Sequence, residues 1–270
     1  MQELAGLRQG RYAGPMLNTL LHPAQQAKDR PPLVIAHGLF GSGRNWGVIA
    51  RNLATRRDVV AVDMRNHGGS LRAASQTYAD MAGDLAEVLA ALGPADLLGH
   101  SMGGKAAMQL ALTQGALLRR LVVADIAPVA YTHDQSHHIA AMRGLDLTGL
   151  SSRIEADRRL SALIADPSLR AFFLQSLDLK ATPAVWRLNL DVLAADMGQI
   201  VGWPGTGGRF DGPALFLTGA DSTYVRPEHR AVIQTLFPAA RFAKLTGAGH
   251  WLHADRPRAF EATVRAFLDA

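Results

Sequence analysis

The chain has 270 residues, of which 48% are hydrophobic and 19% are charged, and this balance fits one large globular core. It contains no cysteine, which excludes disulfides, thiolate nucleophiles and cysteine metal sites. The net charge is +5, but the basic residues are spread along the chain and form no run interleaved with aromatic side chains. We therefore expect no nucleic-acid partner.

The N-terminal segment, Met1 to Gln9, lacks the cationic start and apolar stretch of a secretory signal. No apolar run in the chain approaches the roughly 18 residues that a membrane span requires. We therefore expect a cytoplasmic protein without a membrane span, present as a monomer or a dimer.

Strands and helices alternate in the first half of the chain, after a weakly patterned N-terminus in which Tyr12 and residues 16–21 fit edge strands. Continuous apolar runs predict buried strands at 32–36, 58–63, 95–98 and 118–126. Helical patterns lie between them at 45–54, 77–92 and 102–114. This alternation predicts an α/β fold with right-handed crossovers, a mostly parallel sheet and helices on both faces.

The strand pattern stops after residue 128, and helices are predicted at 137–142, 152–164, 168–177 and 185–197. Strands resume at 213–218 and 241–245, with helices at 227–236 and 256–268. We therefore expect a core in two parts, 1–128 and 211–270, with a helical cap at 129–210 inserted over the sheet edge. Six apolar cap residues fit either an acyl pocket or packing between helices: Phe172, Phe173, Leu174, Leu177, Trp186 and Leu190.

A Gly-x-Ser-x-Gly sequence at residues 99–103 joins the strand at 95–98 to the helix that begins at Met102. Small residues on both sides of the serine let the strand and the helix pass closely at a sharp turn. The turn holds the serine hydroxyl at the carboxyl edge of the sheet, so we predict Ser101 as a nucleophile. The Met102 N–H, at the helix N-terminus, would help to stabilise an oxyanion.

The same stretch also matches most of a phosphate-binding P-loop, because four residues separate Gly99 from Gly104 and Lys105 follows. The last position of that motif needs Ser or Thr to bind magnesium, and here it is Ala106. A nucleotide-binding protein is therefore one alternative to a hydrolase. A ligand-binding protein that has the hydrolase fold but no catalytic activity is another.

A serine hydroxyl needs an adjacent base, and the base needs a carboxylate that orients it. His250 follows the last predicted strand on a glycine-containing loop, which lets it reach Ser101 as general base. The order Ser, acid, His along the chain is that of α/β-hydrolases. The acid is open between Asp221, after the second-to-last strand, and Asp125, after the strand that follows the serine turn; position alone favours Asp221.

The loop after the strand at 32–36 is suited to donate a second oxyanion N–H. We predict Leu39 as this donor and Phe40 as the second choice. We expect His37 in the same loop, and Arg65 and His67 after the next strand, to order the loops around the site without taking part in the chemistry.

His133 and His137 have the i, i+4 spacing of helical metal ligands. Asp134 is the one carboxylate that this pattern places beside them. We therefore expect a solvated helix face here, and neither a metal nor a cofactor in the protein.

Five stretches of the chain resemble the YbfF-like esterases and their mitochondrial relatives, which are cap-bearing α/β-hydrolases. They are Gly-His-Ser-Met-Gly-Gly-Lys-Ala-Ala, Ala-Asp-Ile-Ala-Pro-Val, His-Gly-Leu-Phe-Gly-Ser, Asp-Met-Arg-Asn-His-Gly and Gly-Ala-Gly-His-Trp-Leu-His. The resemblance implies the α/β-hydrolase fold and hydrolysis of small-molecule acyl esters or thioesters, acyl-CoA among them, through an acyl-enzyme without a cofactor. It also accounts for Lys105 without a phosphate.

The resemblance further implies that Asp125 is the triad acid and that Ser222 lies beside the catalytic histidine as an auxiliary residue. The family often has an amide where this chain has Asp221. We therefore predict Asp125 as the acid, with Asp221 as the alternative. Dehalogenases and epoxide hydrolases of this fold need Asp in place of Ser101, which argues against those activities.

Overall fold

A computed structural model describes residues 17–270. The strands of these residues are β1 (Thr19–His22), β2 (Leu33–Ala36), β3 (Val59–Val62), β4 (Ala95–His100), β5 (Leu118–Ala124), β6 (Leu177–Asp178), β7 (Val185–Trp186), β8 (Ala214–Gly219) and β9 (Ala240–Leu245). Within residues 17–270, seven of them form the main sheet in the order β1-β3-β2-β4-β5-β8-β9. Strand β1 is antiparallel to β3, and the other neighbours in the sheet are parallel.

The helices of the same residues are α1 (Gly47–Leu53), α2 (Tyr78–Leu92), α3 (Met102–Gln114), α4 (Ser136–Gly144), α5 (Arg153–Leu160), α6 (Pro167–Leu174), α7 (Leu190–Ala195), α8 (Met197–Val201), α9 (His229–Leu236), α10 (Leu252–Asp255) and α11 (Pro257–Asp269). Helices α1 and α11 pack on one face of the sheet, where Ile49 and Phe260 join its buried side chains. Helices α2 and α3 pack on the other face, through Leu85 and Met108 among others. The predicted fold class, a mostly parallel sheet with helices on both faces, is confirmed.

The N-terminal predictions can be compared with the structure only in part. Strand β1 corresponds to the edge strand expected at 16–21. Residues 1–16, which include Tyr12 and the segment Met1 to Gln9, lie outside the described residues. From residue 17 onward, no helix combines the length and the apolar character needed to cross a bilayer.

The carboxyl ends of the parallel strands meet at one edge of the sheet, and this geometry gathers the site. Strand β4 lies between β2 and β5, and β5 lies between β4 and β8. The loops after these four strands therefore meet at one edge although they are far apart in the sequence. They carry the predicted oxyanion donor, nucleophile and both candidate acids.

The segment between β5 and β8 contains α4 to α8, and it has strand residues where two helices were predicted. The helix predicted at 168–177 ends at Leu174, and Leu177 belongs to β6. The helix predicted at 185–197 is wrong in its first part, because Val185–Trp186 is a strand paired with Leu177–Asp178. The extended backbone continues after it: the Arg187 N–H donates to Ser176 O at 2.8 Å. The Asn189 N–H donates to Asn66 O at 2.9 Å, and helix α7 begins at the next residue. These contacts with distant segments replace the hydrogen bonds of a helix.

Candidate active site

The serine turn has the close packing that its glycines predict. Ser101 lies between β4 and α3 with a φ of 52°, a conformation that costs energy in a non-glycine residue. A Cβ on Gly99 would lie 2.3 Å from the Gly103 carbonyl oxygen, and one on Gly103 would lie 2.5 Å from Ala36 O. Both obstacles are backbone atoms that cannot rotate away. Glycine is therefore required at both positions for the turn to form.

The Gly99→Ala variant is expected to lose more than about 2 kcal/mol of unfolding free energy, because the added methyl group overpacks a rigid backbone contact. Gly83→Ala is the matched control: it lies inside α2, and a Cβ there meets nothing within 4 Å. This control is expected to gain about 0.5–1 kcal/mol, as alanine replaces glycine in a helix. Urea unfolding of both variants measures the difference, and equal stabilities would contradict the assigned packing.

Ser101, His250 and Asp125 form one hydrogen-bonded series at the carboxyl edge of the sheet. The Ser101 Oγ lies 3.0 Å from His250 Nε2. The His250 Nδ1 lies 2.8 Å from Asp125 Oδ2. In this arrangement the Nδ1–H donates to the carboxylate, which leaves Nε2 free to accept the serine proton.

The Asp125 carboxylate is fully buried and its charge is satisfied by hydrogen bonds. The Ser222 hydroxyl donates to Asp125 Oδ2 at 2.5 Å, beside the bond from His250. The Gly219 N–H donates to Oδ1 at 3.1 Å. A buried carboxylate is tolerated only with such partners, so Ser222 helps to hold the Asp125 carboxylate in place.

Asp221, the alternative acid, directly precedes Ser222 in the loop after β8, but its side chain faces solvent. Its backbone N–H donates to Ala248 O at 2.9 Å. Its carboxylate has no hydrogen-bond partner among residues 17–270. The structure thus brings Asp125, and not Asp221, into contact with His250.

Two backbone N–H groups near Ser101 remain available to an oxyanion. Among the hydrogen bonds of residues 17–270, none is donated by the N–H of Leu39 or of Met102. The Phe40 N–H, by contrast, donates to His67 Nε2 at 3.1 Å. The oxyanion role of Phe40 would require that bond to break, whereas the N–H of Leu39 needs no such change.

His37 and His67 have the hydrogen bonds of neutral, loop-ordering residues. The His37 Nε2 accepts from the Met64 N–H at 2.9 Å, and His37 Nδ1 lies 2.7 Å from Gly38 O. The His67 Nδ1 lies 2.8 Å from Arg65 O, and its Nε2 holds the Phe40 N–H. Burial lowers the pKa of His37 and lowers that of His67 to about 3, so both stay neutral.

Arg65 anchors the same loop to helix α2. Its Nε and one terminal nitrogen donate to the two carboxylate oxygens of Asp84, at 2.6 and 2.8 Å. This two-point contact fixes both the position and the orientation of the guanidinium. The predicted ordering role of Arg65 is consistent with this geometry.

A cavity of about 130 Å³ opens beside Ser101. Of the six apolar residues between 172 and 190 that were considered for an acyl pocket, Phe172 and Phe173 line it. The other four are buried away from its wall; Trp186, for example, donates its indole N–H to Met142 O at 2.9 Å. Packing inside the segment between β5 and β8, and not contact with the cavity, therefore accounts for most of that set.

Lys105 joins helix α3 to the segment between β5 and β8, a role that no sequence pattern indicated. Its side chain is buried, and Nζ donates to Val201 O at 2.9 Å and to Gly202 O at 2.5 Å. The neighbouring carbonyl of Ile200 accepts the Tyr78 hydroxyl at 2.5 Å. Because its Nζ donates to carbonyl oxygens at the end of α8, Lys105 does not act here as a phosphate ligand.

Because the Lys105 amine is buried, we expect the free energy of unfolding to depend on pH. Burial lowers the pKa of Lys105 to about 7 from the unfolded value of 10.5. The unfolded chain therefore binds this proton more tightly, and stability falls as the pH decreases from 10.5 to 7. Relative to Lys105→Met, the wild type should gain up to about 1.4 kcal/mol per pH unit across this range. Urea unfolding of both proteins at pH 7, 8 and 9 measures it, and parallel curves would contradict it.

The helix face expected from the spacing of His133 and His137 does not form, because α4 begins at Ser136 and His133 lies in the loop before it. The His133 ring lies 4.9 Å from the Tyr224 ring, and His137 lies 3.9 Å from His138, measured between centroids. In the part of the chain from residue 17 onward, no group of three or more His, Cys, Asp or Glu side chains is placed to hold a metal ion.

The chain belongs to the α/β-hydrolase fold family, whose model matches residues 31–257. Among characterised relatives, the sn-1-specific diacylglycerol lipase ABHD11 of Mus musculus is 41% identical over 249 residues, covering 88% of this chain and 81% of the relative. Esterase YbfF of Escherichia coli K12 is 37% identical over 257 residues, covering 94% of this chain and 99% of the esterase.

A solved structure, described as a marine microorganism esterase, has a TM-score of 0.87 and 34% identity, over 94% of this chain and 100% of that chain. The predicted resemblance to YbfF-like esterases is thereby confirmed. The protein is a serine hydrolase that cleaves carboxylic esters. Nothing in these comparisons favours nucleotide binding or a non-catalytic binding role.

Proposed function

We propose that the protein hydrolyses small acyl esters through an acyl-enzyme on Ser101, with His250 as general base and Asp125 as the acid that orients it. The observation that carries this proposal is the series Ser101 Oγ, His250 Nε2, His250 Nδ1 and Asp125 Oδ2, joined at 3.0 and 2.8 Å. The strained position of Ser101 at the carboxyl edge of the sheet supports it further.

In the acylation step, His250 Nε2 takes the proton of Ser101 as the serine oxygen attacks the ester carbonyl carbon. The Asp125 carboxylate stabilises the imidazolium that forms. The tetrahedral intermediate collapses when the bond to the alcohol oxygen breaks. His250 then gives its proton to that oxygen, and the alcohol leaves.

In the deacylation step, water replaces the alcohol and the same groups act in reverse. The water oxygen attacks the acyl carbon while His250 takes one proton from the water. His250 then gives that proton to the Ser101 oxygen. The carboxylic acid leaves and the free enzyme is regenerated. A thioester substrate passes through the same acyl-enzyme, with a thiol as the first leaving group.

The negative charge on the carbonyl oxygen needs donors that are already in place. We assign this role to the N–H groups of Leu39 and Met102, since neither donates to another described residue. Each such donor is worth about 3 kcal/mol of transition-state stabilisation. Phe40 is the weaker candidate, because its N–H is engaged by His67.

We further propose that residues 129–210 form a cap over this site. Three of its side chains, Leu169, Phe172 and Phe173, line the cavity beside Ser101. These side chains would contact the apolar part of a substrate, which supports an acyl ester over a highly charged one.

Labelling with a fluorophosphonate and mass spectrometry test the proposal. The probe should form one adduct, mapped to the peptide that contains Ser101, and p-nitrophenyl acyl esters should be turned over at neutral pH. An acyl-enzyme trapped by acid quench should carry the acyl mass on the same peptide. Turnover without labelling of Ser101 would overturn the assignment, and tight ligand binding without turnover would favour a binding protein.

A further inference from the structure

One aromatic ring lies flat against the imidazole of His250. The ring of Tyr224 is stacked on it with 3.7 Å between the centroids and 13° between the planes. Other rings near His250 are tilted: His100 lies at 4.8 Å and 40°, and Trp251 at 6.5 Å and 51°. Tyr224 therefore covers one whole face of the imidazole.

The backbone of Tyr224 is tied to the acid side of the same site. Its N–H lies 3.2 Å from the Ser222 hydroxyl oxygen, and that hydroxyl donates to Asp125. Its carbonyl accepts the Tyr131 hydroxyl at 2.8 Å, and Tyr131 in turn accepts the Ala127 N–H at 2.9 Å. Two independent contacts thus hold the Tyr224 residue over His250.

The ring, and not the hydroxyl, makes this contact. The Tyr224 hydroxyl has no hydrogen-bond partner among residues 17–270. The hydrogen bonds to Asp125 and Ser101 hold the two ring nitrogens of His250, and neither contacts the face of the imidazole. A flat ring against that face limits tilting of the imidazole, so that Nε2 stays directed at Ser101.

We propose that Tyr224 is a positioning residue for His250, a role that rests on the proposed Ser101–His250–Asp125 mechanism. The stacked ring keeps the imidazole plane in the orientation that accepts the serine proton. Its π-face also attracts the imidazolium more strongly than the neutral imidazole. Since His250 carries the extra proton only after Ser101 has given it up, this attraction favours the transition state over the resting enzyme.

The test compares Tyr224→Leu with Tyr224→Phe, using p-nitrophenyl acetate because its small acyl group needs little of the pocket. Tyr224→Leu should lower kcat by roughly 10-fold, the effect expected when a cation–π contact is lost from a transition state. Its KM should change by less than about two-fold. Tyr224→Phe keeps the ring and should restore kcat to nearly the wild-type value.

The rate of fluorophosphonate labelling gives a second readout, since it also depends on His250 but not on an ester leaving group. It should fall in Tyr224→Leu by the same factor as kcat and recover in Tyr224→Phe. If Tyr224→Leu retains the wild-type kcat and labelling rate, the inference fails. It also fails if Tyr224→Phe is as slow as Tyr224→Leu, because the hydroxyl would then be the active group.

Ser101→Ala, measured beside these variants, separates this inference from the proposed function. If Ser101→Ala is inactive while Tyr224→Leu is fully active, the mechanism stands and the role of Tyr224 does not. If Ser101→Ala keeps its activity, the mechanism itself is wrong. The thermal unfolding midpoints of the two Tyr224 variants are measured as well. Equal midpoints with different kcat values support a positioning role. A lower midpoint for Tyr224→Leu alone, with kcat unchanged in the folded protein, contradicts that role.

Discussion

The Ser101→Ala variant is expected to reduce kcat for ester hydrolysis by about 10⁶-fold, the loss seen when the nucleophile of a serine triad is removed. The reason is that no other hydroxyl replaces it: the Ser101 Oγ is the atom 3.0 Å from His250 Nε2. Substrate binding should persist, because the cavity and the N–H groups of Leu39 and Met102 are unchanged. Steady-state kinetics with p-nitrophenyl esters, together with binding of a non-hydrolysable analogue, measure both quantities.

The fold should tolerate this change. Alanine at the nucleophile position would meet the same backbone strain as serine, since both residue types carry a Cβ at a φ of 52°. Ser151→Ala, on an exposed loop, is a matched control for the loss of one hydroxyl and should keep full activity. Activity of Ser101→Ala within about 10-fold of the wild type, in protein with an unchanged unfolding midpoint, would contradict a serine nucleophile.

The serine turn could be predicted from sequence because its requirements are local. Gly99 and Gly103 lie two residues on either side of Ser101, and the steric reason for them involves backbone within a few residues, together with one neighbouring strand. The inner strands β2, β3 and β8 could be predicted equally well, because they are buried throughout and their sequences are continuous apolar runs. These features need no knowledge of distant contacts.

Position along the chain favours Asp221, but the structure places Asp125 against His250, because this contact depends on how two adjacent strands end. Asp125 follows β5 and Asp221 follows β8, and these strands are neighbours in the sheet. Both residues therefore reach the correct edge. What separates them is local backbone geometry: Asp125 has a φ of 51° and a buried carboxylate, whereas Asp221 faces solvent. The resemblance to YbfF-like esterases, and not the spacing, pointed to Asp125.

Two further features cannot be predicted from local sequence patterns, because the residues they contact lie far away in the chain. The extended segment after Val185 is held by carbonyls of Ser176 and Asn66, so its helical pattern was misleading. Tyr224 is a single aromatic residue in a loop, with no periodic neighbour that marks it. Its contact with His250 arises only when the loops after β8 and β9 meet, and strand pairing of this kind leaves no local signal.

The Asp125→Asn variant is expected to lower kcat by about 10⁴-fold, with little change in KM. An asparagine fits the same space and preserves the packing, but it carries no negative charge to stabilise the imidazolium. Its amide N–H₂ can also donate to His250 Nδ1, which would place the imidazole proton on Nε2 and prevent it from accepting the proton of Ser101. The loss is therefore one of chemistry, and the bound substrate should be held as in the wild type.

Asp221→Asn is the matched variant, since it removes the same charge one strand away. Its carboxylate makes no hydrogen bond within residues 17–270 and is exposed, so kcat should stay within about two-fold of the wild type. Steady-state kinetics on both variants decide between the two acids. An inactive Asp221→Asn beside an active Asp125→Asn would reverse the assignment. Equal, moderate losses in both would mean that the charge of the loop pair, and not one hydrogen bond to His250, supports the imidazolium.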